Sequence, residues 1–274
     1  MQRSKIIIAC AVLLLLGTGA FLSSSLLSWR PAIITYFTQN VDFFGMYQNL
    51  GNPYIRYVRI PEGLRKEEVA NIYSKVLAWN DQDRKDFLSA DDTQTDLEGY
   101  YFPTTYVLPM DATGEEVKDK MLETFNKKVL NDDATNILDK EKVNVDTAVK
   151  IASLIQREAA GKQDMNLISG IIWNRIWNGM SLDIDATLQY AKGTEGKWWP
   201  VVYSADKNIA SPYNTYKNSG LPPTPIANPG LAAIEAAYNP QKTSCIFYFH
   251  DKSRKIHCSK TYAEHVKGVQ QYLR

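Results

Sequence analysis

The stretch Asp146-Thr147-Ala148-Val149-Lys150-Ile151-Ala152-Ser153-Leu154-Ile155-Gln156-Arg157-Glu158 carries the strongest pattern in the chain. An α-helix turns once every 3.6 residues, so Ile151, Leu154, Ile155 and Glu158 fall on one stripe. Glu158 therefore points where the isoleucines point, while Gln156 and Arg157 sit off the stripe and can reach water. Burial penalises the charged form of a carboxyl group and raises its pKa. A protein obtains a general acid near neutral pH in this way. The plainer alternative is a solvated glutamate in a last turn that frays into Ala159-Ala160-Gly161.

Working outward, Tyr54 to Ile60 alternates like a strand, and Pro61-Glu62-Gly63 reads as a turn. Lys66 to Trp79 reads as an amphipathic helix with Val69, Ile72, Tyr73 and Val76 inward. A second extended region, Tyr100 to Leu108, precedes a helix over Gly114 to Val129 with Val117, Met121, Phe125 and Val129 four apart. Beyond Glu158, Asp164 is a suitable N-cap for Met165 to Asn178, with Gly179 as the stop. Leu182-Asp183-Ile184-Asp185 alternates, which puts both aspartates on one face of a short strand; Asp185 can also cap a helix over Ala186 to Ala191. Asn228 and Pro229 read as cap and first residue of a helix through Tyr238. Cys245 to Phe249 and Lys255 to Cys258 form a hairpin pattern, and Thr261 to Glu264 is a capping box for the last helix. The expected class is α+β: a transmembrane helix, a small strand-helix domain, then a mixed α+β domain.

With 274 residues, 45% of them hydrophobic and 22% charged, the chain suits one or two domains with a substantial core. Net charge is +1, and setting aside Arg3 and Lys5 leaves −1 for everything after them. No general basic field for nucleic acid exists, so binding must come from a local groove. Ile6 to Leu27 is a 22-residue run without a charge, long enough to cross a bilayer. The basic residues before it set the N-terminus in the cytoplasm and the body outside. A cleaved signal peptide ending near Thr18-Gly19-Ala20 is the alternative. Cys10 follows too few apolar residues for a lipoprotein cleavage box. Export permits a disulfide between Cys245 and Cys258, although sequence does not fix the register. His250, His257 and His265 lack metal-ligand spacing.

Several segments in order resemble the endolytic murein transglycosylases, the MltG or YceG-like family. They are Ala152 to Glu158, Ile172 to Ile176, Met180 to Tyr190, Ser211-Pro212-Tyr213-Asn214-Thr215-Tyr216, Gly220 to Pro223, and Pro225 to Gly230. The resemblance covers roughly Tyr57 to the C-terminus. Together with the charge-free run it divides the chain into a cytoplasmic tip (1–5), the membrane span (6–27), a membrane-proximal LysM-like domain (28–135) and a YceG-like catalytic domain (136–274). Many members carry two glutamates in the first motif; Gln156 occupies the earlier position here and leaves Glu158 as the candidate acid. Asp183 stands where members often have Gln, and Ala186 where they often have Pro.

The resemblance implies cleavage of MurNAc-GlcNAc β-1,4 bonds inside peptidoglycan strands without water, leaving 1,6-anhydroMurNAc ends. One carboxyl group suffices, because the nucleophile is the sugar's own O6 hydroxyl. A hydrolytic muramidase would need a pair about 5–5.5 Å or about 6.5–9.5 Å apart, for which Asp183 or Asp185 is available. The resemblance assigns substrate contacts to Tyr213, Asn214, Thr215, Tyr216, Asp185, Thr187 and Arg175. Arg175 either binds lactyl or peptide carboxylates or pairs with Asp185; Trp198 and Trp199 are either a sugar platform or partly core. Glu98 belongs to a family motif in the first domain, as a structural or a substrate-contacting residue. No cofactor and no metal are implied. Expected partners are glycan strands, penicillin-binding proteins or other wall-synthesis proteins, and the cytoplasmic membrane. A scaffold that binds peptidoglycan without cutting it is the non-enzyme alternative.

Overall fold

A computed structural model describes residues 52–90, 96–130 and 143–273. Residues 54–274 form one compact unit. The expected membrane span at 6–27 lies outside the described residues, as does the stretch 28–51. Among the described residues no helix is long and apolar enough to cross a membrane.

Alternation in β1 (Ile55–Arg59) buries Val58 and leaves Tyr57 and Arg59 outward. It pairs antiparallel with β2 (Thr105–Pro109), Tyr57 opposite Val107, and β2 buries Tyr106 and Leu108. A two-stranded ribbon is marginal in water and needs cover. Two helices contribute to the core beneath it. In α1 (Lys66–Val76), Val69, Ala70 and Tyr73 are buried; α2 (Asp81–Leu88) buries Phe87. The helix expected to run to Trp79 stops at Val76, which is exposed, and Ala78 adopts a positive φ of 52°. Asn80 then caps α2 by accepting from the N–H groups of Gln82 and Asp83. One buried side chain produces no apolar stripe, which is why periodicity did not reveal α2.

Thr113 and Glu116 form a reciprocal cap on α3 (Gly114–Val129), whose stripe of Val117, Met121, Phe125 and Val129 is buried as expected. Val117 and Met121 belong to the first core, Phe125 and Val129 to the second. The same division falls between Tyr101 and Phe102, adjacent residues that face different cores.

The second core gathers around α4 (Val145–Glu158), α5 (Lys162–Trp177) and α7 (Leu231–Tyr238). Ile151, Leu154 and Ile155 are fully buried, but so are Val149 and Ala152, so α4 is enclosed on more than one face. Each of the valine, leucine and isoleucine side chains contributes about 1.5–3 kcal/mol by leaving water. The α5 helix starts at Lys162 with Gly161 at its cap, and Asp164 is a buried first-turn residue rather than the cap. Asp185 is the first residue of α6 (Asp185–Lys192) and Ile184 its cap; Leu182 to Ile184 form no strand, contrary to the alternation. Likewise α7 opens at Leu231 behind Gly230, because Asn228 is engaged elsewhere.

Asn228 joins the two cores. Its Oδ1 accepts from the N–H groups of Gly99 (3.0 Å) and Tyr101 (2.9 Å), and its Nδ2 donates to Leu64 O (3.0 Å) and the Glu98 carboxylate (3.1 Å). Its own N–H and C=O pair with Leu64 O and Gly63 N, both at 2.8 Å. Gly99 holds φ +92°, and a Cβ there would lie 2.5 Å from Pro225, so this approach requires glycine. Along the same seam the Gly230 N–H donates to Gln156, while Arg157 donates to Gly63 O and stacks 3.6 Å above Trp199. Arg157 therefore holds the first lobe, and Gln156 holds the turn before α7, instead of facing bulk water.

The chain ends in a hairpin, β3 (Phe247–His250) with β4 (Ile256–Ser259), Tyr248 opposite Cys258. The Cys245–Cys258 disulfide closes it, with Cα atoms 5.8 Å apart. In front of α8 (Tyr262–Leu273), Thr261 and Glu264 exchange the expected reciprocal hydrogen bonds. The α+β class holds for the described residues.

Candidate active site

Glu158 is the last residue of α4, where the apolar stripe leaves the core and enters an open cleft of about 460 Å³. Its carboxylate accepts a 2.6 Å hydrogen bond from the Tyr248 hydroxyl on β3. Burial lifts the Glu158 pKa above its ordinary value; the Tyr248 bond opposes this, and the charge of Asp185 adds to it. His250 and Arg157 pull it down more weakly. The negative end of the α4 dipole also disfavours a carboxylate at this position. Glu158 is thus inclined to hold a proton while remaining reachable from the cleft.

Asp185 lies opposite, at the N-terminal end of α6, a favourable place for a negative charge. Tyr216 donates to it at 2.7 Å. Arg175 borders the same cleft and is held through two of its nitrogens: Nε donates to Ile246 O (2.7 Å), and Nη1 to Ser181 O (3.0 Å), Leu182 O (2.7 Å) and Asp183 Oδ2 (3.1 Å). Its carboxylate partner is Asp183, not Asp185. Asp183 adopts a positive φ of 54°, a region that Asp tolerates better than most residues. Arg175 is a clamp on the turn leading into α6 through Nε and Nη1.

Of the Tyr213 to Tyr216 loop, Tyr216 alone lines the cleft. Asn214 is fully buried and donates to Lys207 O (3.0 Å) and Ile209 O (2.8 Å). Thr215 accepts from the Ile184 N–H at 3.1 Å and meets the Thr187 hydroxyl at 3.0 Å; Thr187 also donates to Ile184 O. Tyr213 bonds Thr224 at 2.7 Å and packs against Tyr190. The motif thus builds the cleft wall more than it faces the cleft. Polar residue types in a proline-flanked loop do not distinguish these two uses.

Trp198 and Trp199 sit at the lobe seam. The Trp199 indole donates to Glu68 and lies under Arg157, and Trp198 lies under Arg65. Glu98 is also at the seam, fully buried, accepting from the Lys66 N–H (3.0 Å), Asn228 and the Tyr190 hydroxyl (3.3 Å). Burial pushes its pKa up to about 8, with Glu67 adding and Lys66 and Arg65 opposing. Glu98 is therefore a buried structural carboxyl remote from the cleft lining.

Sequence reasoning missed Tyr248, Lys207 and His250, all on the cleft wall. His250 Nε2 lies 3.1 Å from Asp164, which is how that buried acid is used. The hairpin pattern marked Tyr248 as a strand residue, but no local signal connects it with a glutamate ninety positions earlier.

Two lobes on a shared seam, with the half-buried Glu158 carboxyl on the wall of an open cleft, define an α+β protein with a candidate acid–base site. The chain belongs to the YceG-like family, which matches residues 36–271. It is 38% identical over 178 residues to the endolytic murein transglycosylase of Bacillus subtilis, covering 65% of this chain and 48% of that protein. It is 33% identical over 180 residues to the protein of the same name from Streptococcus pneumoniae, covering 65% and 32%. The matched region thus spans half or less of these relatives' length. A crystal structure of a YceG-like protein from Listeria monocytogenes superposes with a TM-score of 0.65 at 29% identity, covering 77% of this chain and 75% of that one.

Proposed function

We propose that the chain is an endolytic peptidoglycan lytic transglycosylase in which Glu158 is the single acid–base group. The observation that carries this reading is the Glu158 carboxyl, lifted toward its protonated form by burial, held by Tyr248 and open to a cleft. The name shared by the relatives supports the substrate and reaction. Protonated Glu158 donates to the glycosidic oxygen as the bond from MurNAc C1 breaks. The O6 hydroxyl of the same MurNAc attacks C1, and its proton passes to the Glu158 carboxylate, which restores the acid. No water is consumed, and a nucleophile already tethered to the substrate needs no second carboxylate to activate it. Asp185, held by Tyr216, faces the positive charge that develops at C1.

Mass spectrometry of peptidoglycan fragments from the wild type and Glu158→Gln tests this. Internal fragments with 1,6-anhydro ends from the wild type alone support it. Asp185 is close enough to raise the Glu158 pKa, which favours a hydrolytic muramidase as the second reading; reducing ends would select it. Binding by both proteins with cutting by neither would leave a scaffold.

In this reading residues 6–27 anchor the protein in the cytoplasmic membrane with its N-terminus inside, so cutting is confined to new glycan beside penicillin-binding proteins and sets strand length. The charge-free run behind Arg3 and Lys5, and a disulfide suited to an exported compartment, support this. The antiparallel strand–helix–helix–strand lobe supports a LysM-like module that holds glycan. An exported form without residues 1–29 that fully restores strand length in a deletion background would remove the anchoring part of the proposal.

A further inference from the structure

The cleft contains a cation with no acidic partner among the described residues. Arg175 is taken up by Asp183 and three carbonyls, and Asp185 is engaged by Tyr216. Lys207 lines the same cleft, is exposed, and forms no ion pair with any described residue. Its ammonium group lies 4.6 Å above the Tyr216 ring, so a cation–π contact holds it on the side of the cleft where Asp185 is bound.

The backbone beneath it is fixed from inside the fold. Lys207 belongs to a 3₁₀ turn, Ser204–Asn208, which has no buried side chain and is tied to α6 by the Asp206–Lys192 ion pair. Asn214, fully buried, donates from one amide nitrogen to the carbonyls of Lys207 and Ile209. Lys217 donates to Asn208 O at 3.1 Å. A flexible lysine carried on a pinned turn and steered by a ring loses less entropy on binding than one on a free loop.

We propose that Lys207 is the residue that reads a substrate carboxylate beside the cleavage point, and so determines preference for anionic glycan. This rests on the transglycosylase reading of the cleft and names what that site prefers. Carboxylates near the scissile bond of peptidoglycan have two sources: the lactyl group of MurNAc, where no peptide is attached, and the peptide where one is. An ammonium–carboxylate hydrogen bond in a solvated cleft is worth enough for about a tenfold change in binding, and it weakens with salt.

The test uses the full-length chain as wild type, Lys207→Met and Lys207→Arg, on three glycans. One carries stem peptides, one is stripped by an amidase so that lactyl carboxylates are free, and one is stripped and has those carboxylates blocked as methylamides. Lys207→Met is expected to raise KM about tenfold on the carboxylate-bearing glycan it reads, with kcat nearly held, and Lys207→Arg to recover most of the loss. The penalty should fall below about twofold on the blocked glycan. Whichever of the first two substrates shows the larger penalty identifies the source. Equal penalties on blocked and unblocked glycan, or no penalty on any, would overturn the assignment. Equilibrium binding of the same glycans to Glu158→Gln, with and without Lys207→Met, separates the two hypotheses. Lys207-dependent binding without cutting by the wild type would sink the transglycosylase reading and leave the carboxylate site; cutting without Lys207 dependence would do the reverse.

Discussion

The Tyr248 hydroxyl and the Glu158 carboxylate, ninety residues apart in sequence, meet at 2.6 Å and tie the end of α4 to the closing hairpin. A donor on a carboxylate favours its ionised form and lowers its pKa. Replacing Tyr248 with Phe should therefore raise the Glu158 pKa. The alkaline limb of the kcat/KM profile, where protonated Glu158 is lost, should move to higher pH. Activity at the optimum should fall about tenfold, less than the roughly 10²–10⁴-fold that a positioned acid–base group itself supplies, because Tyr248 only positions Glu158. A pH–rate series for the two proteins checks this, and a limb that stays in place would give Tyr248 a packing role only.

The Cys245–Cys258 bond holds the hairpin that presents Tyr248. A disulfide closing so short a loop stabilises by roughly 2–4 kcal/mol. Reduction, or Cys245→Ser with Cys258→Ser, should leave the helical circular dichroism of the two cores in place. Glycan release should fall by between about tenfold and a hundredfold, because small misplacements at a reacting centre are costly. Parallel spectra and product assays of oxidised and reduced protein decide the matter.

Asn228 carries four side-chain hydrogen bonds across the seam. Asn228→Ala leaves the buried N–H groups of Gly99 and Tyr101 without acceptors, at about 1–3 kcal/mol each, so denaturant unfolding should show a loss on the order of 3–5 kcal/mol. Asn228→Asp keeps the acceptors but sets a second carboxyl against Glu98. Its deficit should grow as pH rises.

Glu98 makes stability itself pH-dependent. Its folded pKa of about 8 lies above the ordinary glutamate value of 4.5, so the native state holds a proton that the unfolded chain releases. Its contribution is present below the unfolded pKa and is lost as pH rises toward 8. Glu98→Gln should flatten that decline and raise Tm at pH 8, by about 2–4 °C for each kcal/mol recovered. Melting curves at pH 5 and pH 8 supply the comparison, and an equal Tm change at both would remove Glu98 as the cause.

The legible parts of the sequence were those written in local periodicity. The stripe through Ile151, Leu154 and Ile155 placed Glu158 at the edge of a core, and the four-residue spacing from Val117 to Val129 located α3. Thr261 and Glu264 announced α8, and the alternation around Phe247 announced the hairpin. Helix starts misled where a good capping residue had other work. Asp164 meets His250, and Asn228 binds the opposite lobe.

The sequence by itself determined most of the elements, the α+β class and the place of Glu158 at the edge of a core, because side-chain period and burial preference are properties of neighbours along the chain. Tertiary structure alone decided what surrounds the acid. Tyr248 reaches Glu158, Asn214 fixes Lys207, and Arg175 binds the carbonyls of Ile246 and Leu182 because residues far apart in sequence were brought to one wall by two cores sharing α3 and the Asn228 seam. A hydrogen bond depends on the position of its partner, and position across such separations is set by packing, which no local pattern records.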